Sequence, residues 1–250
     1  MLSLTESRLR RKQALDWLAE IEARPGPAAS VYIPPGTLLP EIETTMSGLP
    51  IAGGLPAGLA EIIAASPTGG AVFRSEHTGD LLVPPFPVAN KHTFLNLYTE
   101  PLREVLSRDL TVAVILLRLG MYAIGLFRGE KLVASRVGTG NIHSRHRQGG
   151  SSAHRFERHR DKQIEEFFSR ICLQVRDRLD QYINEIDWLI YGGTEETVLA
   201  FRKQCQYIAR LDDRVIDRLL NVREPKQASL EATIEDIWSS RVIHWEESPL

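Results

Sequence analysis

Leu110 to Phe127 reads LTVAVILLRLGMYAIGLF, a long apolar run with a single charge, Arg118. As one helix it would be a membrane span; as two strands it is a buried hairpin. Arg118 falls in mid-span, where insertion would cost roughly 2.5–3.5 kcal/mol. The β-branched residues before Arg118, and Leu119-Gly120 in the middle, match two strands joined by a tight turn. The hairpin reading makes the chain a non-membrane protein with a sheet at its centre.

Working outward, strands are expected at about 110–118, 121–127 and 131–137, with Leu119-Gly120 and Arg128-Gly129-Glu130-Lys131 as turns. Such short connections give an antiparallel meander. A glycine- and histidine-bearing loop follows, Gly138 to Gly150. Then Phe156, Ile164, Phe167, Ile171, Val175, Leu179 and Tyr182 recur at helical spacing, an apolar face over some 30 residues and roughly 45 Å. IDWLIYGG (186–193) is nearly continuous in apolar residues, as a central strand is. Helices are expected at about 195–206 and 227–239. These elements define an α/β fold, a mixed sheet flanked by helices.

Toward the amino terminus the pattern loosens. Leu9, Leu15, Leu18 and Ile21, widened by Ala14 and Trp17, open the chain as a helix that Pro25-Gly26-Pro27 stops. SVYIPPG (30–36) reads as a short strand. Residues 37–108 are punctuated by Pro and Gly, with helical pieces near 41–46 and 57–65 and strand-like pieces near 71–73 and 81–83. The boundary is therefore drawn at 107–109, giving a smaller, irregular α+β region over 1–108 and a second domain over 109–250.

A formal charge of −2 over 250 residues excludes a protein that coats nucleic acid over its whole surface, so any such contact is local. The two cysteines, Cys172 and Cys205, form no CxxC pair, and the chain opens with no secretory pattern. The expectation is a cytoplasmic protein with no disulfide framework.

The local charge is concentrated in RHRQGGSSAHRFERHR (145–160). From 141 to 162 the basic residues Arg145, Arg147, Arg155, Arg158, Arg160 and Lys162 face only Glu157 and Asp161, a local formal charge of +4. A charge run is often no more than a solvated helix face. This one straddles a loop, and Gly149-Gly150 stand at the turn into a helix, where backbone N–H groups can approach an anion or a developing oxyanion. Arginines gripping phosphates around a narrow glycine tip make an RNA-facing device. Two rivals are weaker. His143, His146, His154 and His159 suggest a metal, but arginine charge disfavours a cation and the spacing of five between His154 and His159 suits no shared helical face. A Ser-His hydrolase lacks its G-x-S-x-G turn. No metal or other cofactor is expected.

GGSSAHRFERHR (149–160) resembles the catalytic-loop segment in the middle domain of the eukaryotic and archaeal class-I peptide release factor. That pattern is G-G-Q followed by S-A-x-R-F-x-R-x-R, and Gly149, Gly150, Ser152, Ala153, Arg155, Phe156, Arg158 and Arg160 match it. ASVYIPPG (29–36), DWLIYGGTEE (187–196) and LLNVREPKQASLEATIEDIW (219–238) resemble further segments of that factor. Where the family has its catalytic glutamine, this chain has Ser151. The sequence is most similar to a prokaryotic member of the Vms-type release-factor-like peptidyl-tRNA hydrolases of ribosome quality control.

The resemblance implies an RNase H-like, release-factor middle-domain fold and a codon-independent peptidyl-tRNA hydrolase. Its expected partners are the large ribosomal subunit and peptidyl-tRNA, with neither DNA nor membrane. Gly149, Gly150, Ser151, Gln148 and Ser152 would form the hydrolytic tip, and Arg145, Arg147, Arg155, Arg158, Arg160 and Lys162 would hold RNA. Ser151 keeps a second reading open, a non-catalytic ribosome- or tRNA-binding module of the same fold.

Overall fold

In the computed structural model, which describes residues 2–51, 54–142 and 153–247, the backbone gathers into two compact units, 1–108 with 235–250, and 109–234. The protein is a mixed α/β chain with two sheets, each flanked by helices.

The first unit carries a six-stranded antiparallel sheet. In spatial order it holds β1 (Leu2–Leu9), β11 (Ser240–Glu247), β4 (Thr78–Val83), β3 (Gly70–Ser75), β2 (Ala28–Ile33) and β5 (His92–Phe94). Side chains alternate across it. Val31, Val72, Leu81 and Ile243 pack on one face with Ile42 and Met46 of α2 (Leu39–Ser47) and Leu59 and Ile63 of α3 (Leu59–Ala64). Phe73 points the other way, edge-on to Trp17 of α1 (Arg11–Glu22) at 5.9 Å, and Arg11 of that helix donates to the carbonyl of Leu106 in α4 (Glu100–Ser107) at 2.6 Å. On that face the Asp80 carboxylate is buried, and both its oxygens are satisfied, by Arg24 at 2.5 Å and by Nδ1 of His244 at 2.8 Å.

Two expectations change here. The chain opens as a strand over residues 2–9, so Leu9 belongs to β1 and the helix begins at Arg11; β1 is exposed on nearly every residue and so lacks an apolar alternation to announce it. Residues 235–250 do not stay with 109–234: β11 lies between β1 and β4, and Trp245 is fully buried there.

The second unit is built around β6 (Thr111–Arg118), every residue of which is buried up to Leu117. The apolar run is the expected hairpin: β6 pairs antiparallel with β7 (Met121–Arg128), which pairs antiparallel with β8 (Lys131–Thr139). On its other side β6 pairs parallel with β9 (Trp188–Gly193), and β9 with β10 (Val215–Leu220), giving the order β10-β9-β6-β7-β8. Asp187 registers the start of β6, its carboxylate accepting from Thr111 N at 2.7 Å while its own N–H donates to Thr111 O at 2.8 Å.

Helix α5 (Ala153–Leu179) covers one face of this sheet. Its Phe167, Phe168, Ile171, Val175 and Leu179 meet Ile115, Tyr122, Ile124, Leu126 and Tyr191, together with Val198 and Phe201 of α6 (Glu195–Gln204). The other face receives α7 (Gln227–Ile237), whose Leu230 lies against Gly125, a residue alternate to Ile124 and Leu126. Among the described residues no helix is long and apolar enough to cross a membrane.

The expectation of unpaired cysteines is overturned. Cys172 of α5 and Cys205, which caps α6, are joined as a disulfide across 33 residues, with Cα atoms 5.4 Å apart. Sequence spacing could not show this, because the pair meets only when the two helices lie side by side. Closing a loop of that size stabilises by about 3–4 kcal/mol in the chain-entropy view. Reduction, or Cys172→Ser, is expected to lower the urea-unfolding free energy of the second unit by about that amount, measured under oxidising and reducing conditions. Equal midpoints in the two conditions would show that the bridge contributes nothing.

Candidate functional site

Strand directions define an edge. β6, β9 and β10 run parallel, and β8, two antiparallel steps from β6, runs the same way. Four carboxyl ends therefore lie on one side of the sheet, at Arg118, Thr139, Gly193 and Leu220. The connections into α5, α6 and α7 all leave from that side. In open α/β sheets such an edge is where loops and helix amino termini converge, and ligands bind there.

The basic glycine-bearing loop starts on this edge from a tightly packed root. Gly140 donates its N–H to Gly120 O at 2.9 Å, tying the end of β8 to the β6–β7 turn. A Cβ on Gly140 would stand 2.4 Å from Cδ2 of Phe167, and one on Gly138 would stand 2.4 Å from the Tyr122 hydroxyl. Tyr122 and Phe167 meet edge to face at 6.1 Å, and Ile142 packs on the same core. Two glycines two residues apart thus let the strand pass close beneath two aromatic rings. The loop was expected to begin at Gly138, but β8 extends through Thr139, so the root is narrower and later.

The predicted tip, Gln148, Gly149, Gly150, Ser151 and Ser152, lies outside the described residues, as do Arg145, Arg147, His143 and His146. Arg155 belongs to the first turn of α5. Further along that helix, Arg158 and Lys162 are exposed and four residues apart, on one helical row. Arg160 is half-buried, because the same periodicity turns it toward the side that carries Ile164 and Phe167. The six basic residues are therefore not one equivalent set. Arg158 and Lys162 share the outward row, and Arg160 faces the core side.

His159 reaches Gln163 at 3.4 Å, and among the described residues no three His, Cys, Asp or Glu side chains gather as a metal site. Two tyrosines of this unit have displaced pKa values. Burial raises Tyr191 well above the usual range, and Tyr207 is pushed up to about 12 by burial and then by its hydrogen bond to Asp180. Both remain neutral hydroxyls at physiological pH. Neither tyrosine therefore serves as a proton acceptor.

Residues 110–243, just over half of the chain, match the profile of the family described as "Actinobacteria/chloroflexi VLRF1 release factor". The chain is 29% identical over 126 residues to peptide chain release factor subunit 1 of Archaeoglobus fulgidus, covering 50% of this chain and 31% of that protein. It is 33% identical over 139 residues to the protein of the same name from Thermococcus onnurineus, covering 51% and 33%. The chain thus spans about a third of the length of these curated relatives. Among solved structures, a crystal structure of the archaeal translation termination factor aRF1 aligns over 91% of this chain and 73% of that one, at 16% identity and a TM-score of 0.37.

Because Gly140 has no room for a side chain, Gly140→Ala is expected to displace Phe167 and destabilise the second unit by about 1–3 kcal/mol. Thermal unfolding checks this; an unchanged midpoint would mean that the packing at the root is loose.

Proposed function

The chain belongs to the VLRF1 release-factor family of actinobacteria and chloroflexi, and from that membership we propose that it hydrolyses peptidyl-tRNA on stalled ribosomal complexes, freeing the nascent chain without reading a codon. The observation that carries the proposal is a segment of local charge +4 around Gly149-Gly150, in a chain of net charge −2, within the part that matches the family. The substrate is an ester held by ribosomal RNA on the large subunit, in the cytoplasm, and no metal or other cofactor takes part. Residues 109–234 act as the catalytic-loop unit.

The chemistry asks little of the protein. A water oxygen attacks the acyl carbon, the bond to the tRNA ribose oxygen breaks, one of the water's protons goes to that oxygen and the other to solvent, and the peptide leaves as a carboxylate. What is needed is a positioned water and a donor for the tetrahedral oxyanion. Gly149 and Gly150 keep the tip thin enough to enter an RNA-lined site and free to adopt the backbone angles required there. The N–H of Ser151 is the oxyanion donor, a role that does not depend on its side chain. Gln148, Ser151 and Ser152 are the neutral polar groups able to hold the water, and Gln148 has the longer reach. Arg145, Arg147, Arg155, Arg158 and Lys162 hold phosphates; Arg160, turned inward, steadies the start of α5.

Ser151, standing where the resembling family has glutamine, favours a second reading in which the same surface binds ribosome or tRNA and cleaves nothing.

Gly149→Ala/Gly150→Ala is expected to abolish peptide release from purified peptidyl-tRNA–ribosome complexes while leaving co-sedimentation nearly intact. Ser151→Ala should cost little. A loss on the order of 10²-fold would instead assign the hydroxyl to the water. If Ser151→Gln alone confers release, the native protein is the binding module. Arg155→Glu/Arg158→Glu should weaken association about tenfold or more at moderate salt; unaltered sedimentation would reduce the charged row to a solvated helix face.

A further inference from the structure

A second cluster of positive charge lies on the same edge, on the α7 side of the sheet. Arg118 ends β6, and its guanidinium donates to the carbonyl of Arg223 at 2.5 Å, which fastens the turn 221–226 to the central strand. That turn is held throughout. Pro225 is buried, Glu224 O accepts from Lys226 N at 2.8 Å and from the Ser229 hydroxyl at 2.5 Å, and Lys226 N also approaches Ser229 Oγ at 3.4 Å. With its backbone engaged in this way, the turn leaves Arg223 and Lys226 exposed, beside an exposed Arg118.

The three cations face one carboxylate, Glu224, which bonds Lys226 at 2.5 Å; that hydrogen bond, the charge of Lys226 and, more weakly, the charge of Arg118 hold it below the usual carboxylate range. The local balance is +2 on a protein of −2.

Acidic side chains are favourable in the first turn of a helix, where the dipole is positive. α6 has two there, Glu195 and Glu196, and they border the edge on the α5 face. α7 has none, and Lys226 immediately precedes it. A cation at that position works against the stability of α7, which suits a surface that meets an anion.

We propose that Arg118, Arg223 and Lys226 form a second phosphate-binding patch that grips the RNA backbone on the face of the sheet opposite α5, so that RNA is held from both sides of the carboxyl edge. The inference rests on the reading that this unit works against RNA, and it assigns contacts the loop does not supply. Arg118 is the positioning residue, because its guanidinium is already engaged by the turn. Arg223 and Lys226 carry the phosphates. The spacing is set by folded backbone, so the patch binds RNA for its phosphates and not for its bases.

The test uses the full chain and two probes, purified large ribosomal subunits and a fluorescent RNA hairpin. Arg223→Glu/Lys226→Glu is expected to weaken binding to both by about tenfold or more and to make the slope of log affinity against log salt shallower by about 1.5–2, two phosphate contacts' worth. Arg223→Gln/Lys226→Gln, which avoids new acidic charge beside α7, should give the same change of slope with a smaller loss of affinity. Its thermal midpoint should be no lower than that of the native chain, because a cation ahead of α7 is removed. Native affinity and native slope in the glutamine pair overturn the patch. If that pair binds normally while Arg155→Glu/Arg158→Glu binds weakly, the patch fails and the RNA reading of the loop stands. If neither variant is impaired on either probe, the RNA reading of the whole edge fails.

Discussion

β6 is the strand on which the second unit depends. Seven of its eight residues are buried, so its backbone N–H and C=O groups must be paired within the sheet, and it is paired on both sides, with β7 antiparallel and β9 parallel. That double pairing is also a statement about direction. One antiparallel and one parallel neighbour, extended by β8 and β10, send four strands out on the same side. A long connection inserted after β8 has to emerge there, beside the entrances to α6 and α7. The side from which the connection after β8 leaves is thus a consequence of backbone hydrogen bonding in a buried strand.

The same edge reconciles a near-neutral protein with the polyanionic partner proposed for it. A protein that bears charge all over binds RNA everywhere and without register, whereas charge gathered at one edge directs one approach. The helices reinforce this selectively. α5 and α7 start without acidic residues in their first turns and α6 starts with two. The narrow root at Gly138 and Gly140, wedged under Tyr122 and Phe167, gives the connection a firm base. The Cys172–Cys205 bridge then couples the helix that continues from the loop to its neighbour α6.

What the sequence disclosed divides along physical lines. Elements buried on one or both faces declared themselves. β6, β7, β9, α5 and α6 follow from continuous apolar runs or from 3.6-residue spacing, while Leu119-Gly120 and Arg128-Gly129-Glu130-Lys131 marked the turns that set off β7 and β8. β1 did not, because an exposed edge strand has no apolar alternation to read. β11 did not, because its place beside β4 is a pairing across 158 to 168 residues of chain, from Arg241–Val83 to Glu246–Thr78, that no local pattern encodes. The cysteine pair was hidden for the same reason. At the candidate site the cluster of arginines was legible as charge, but its partition was not. Arg158 and Arg160 look equivalent in a string and face different ways on a helix. Arg223 and Lys226 are unremarkable until Arg118 is seen holding their turn, and a Gly-x-Gly spacing at a strand end was the only trace of the root.

The central claim is that this edge delivers a hydrolytic tip to an ester held in RNA, and one measurement bears on it most directly. Large ribosomal subunits carrying a labelled peptidyl-tRNA, with neither small subunit nor message, are mixed with excess native protein, and free peptide is followed over a single turnover. Hydrolysis on that substrate, with the tRNA left deacylated and intact, is the predicted result. Stable binding of the protein to those subunits with the peptide still esterified after prolonged incubation would contradict it, and would leave a binding module on a release-factor fold.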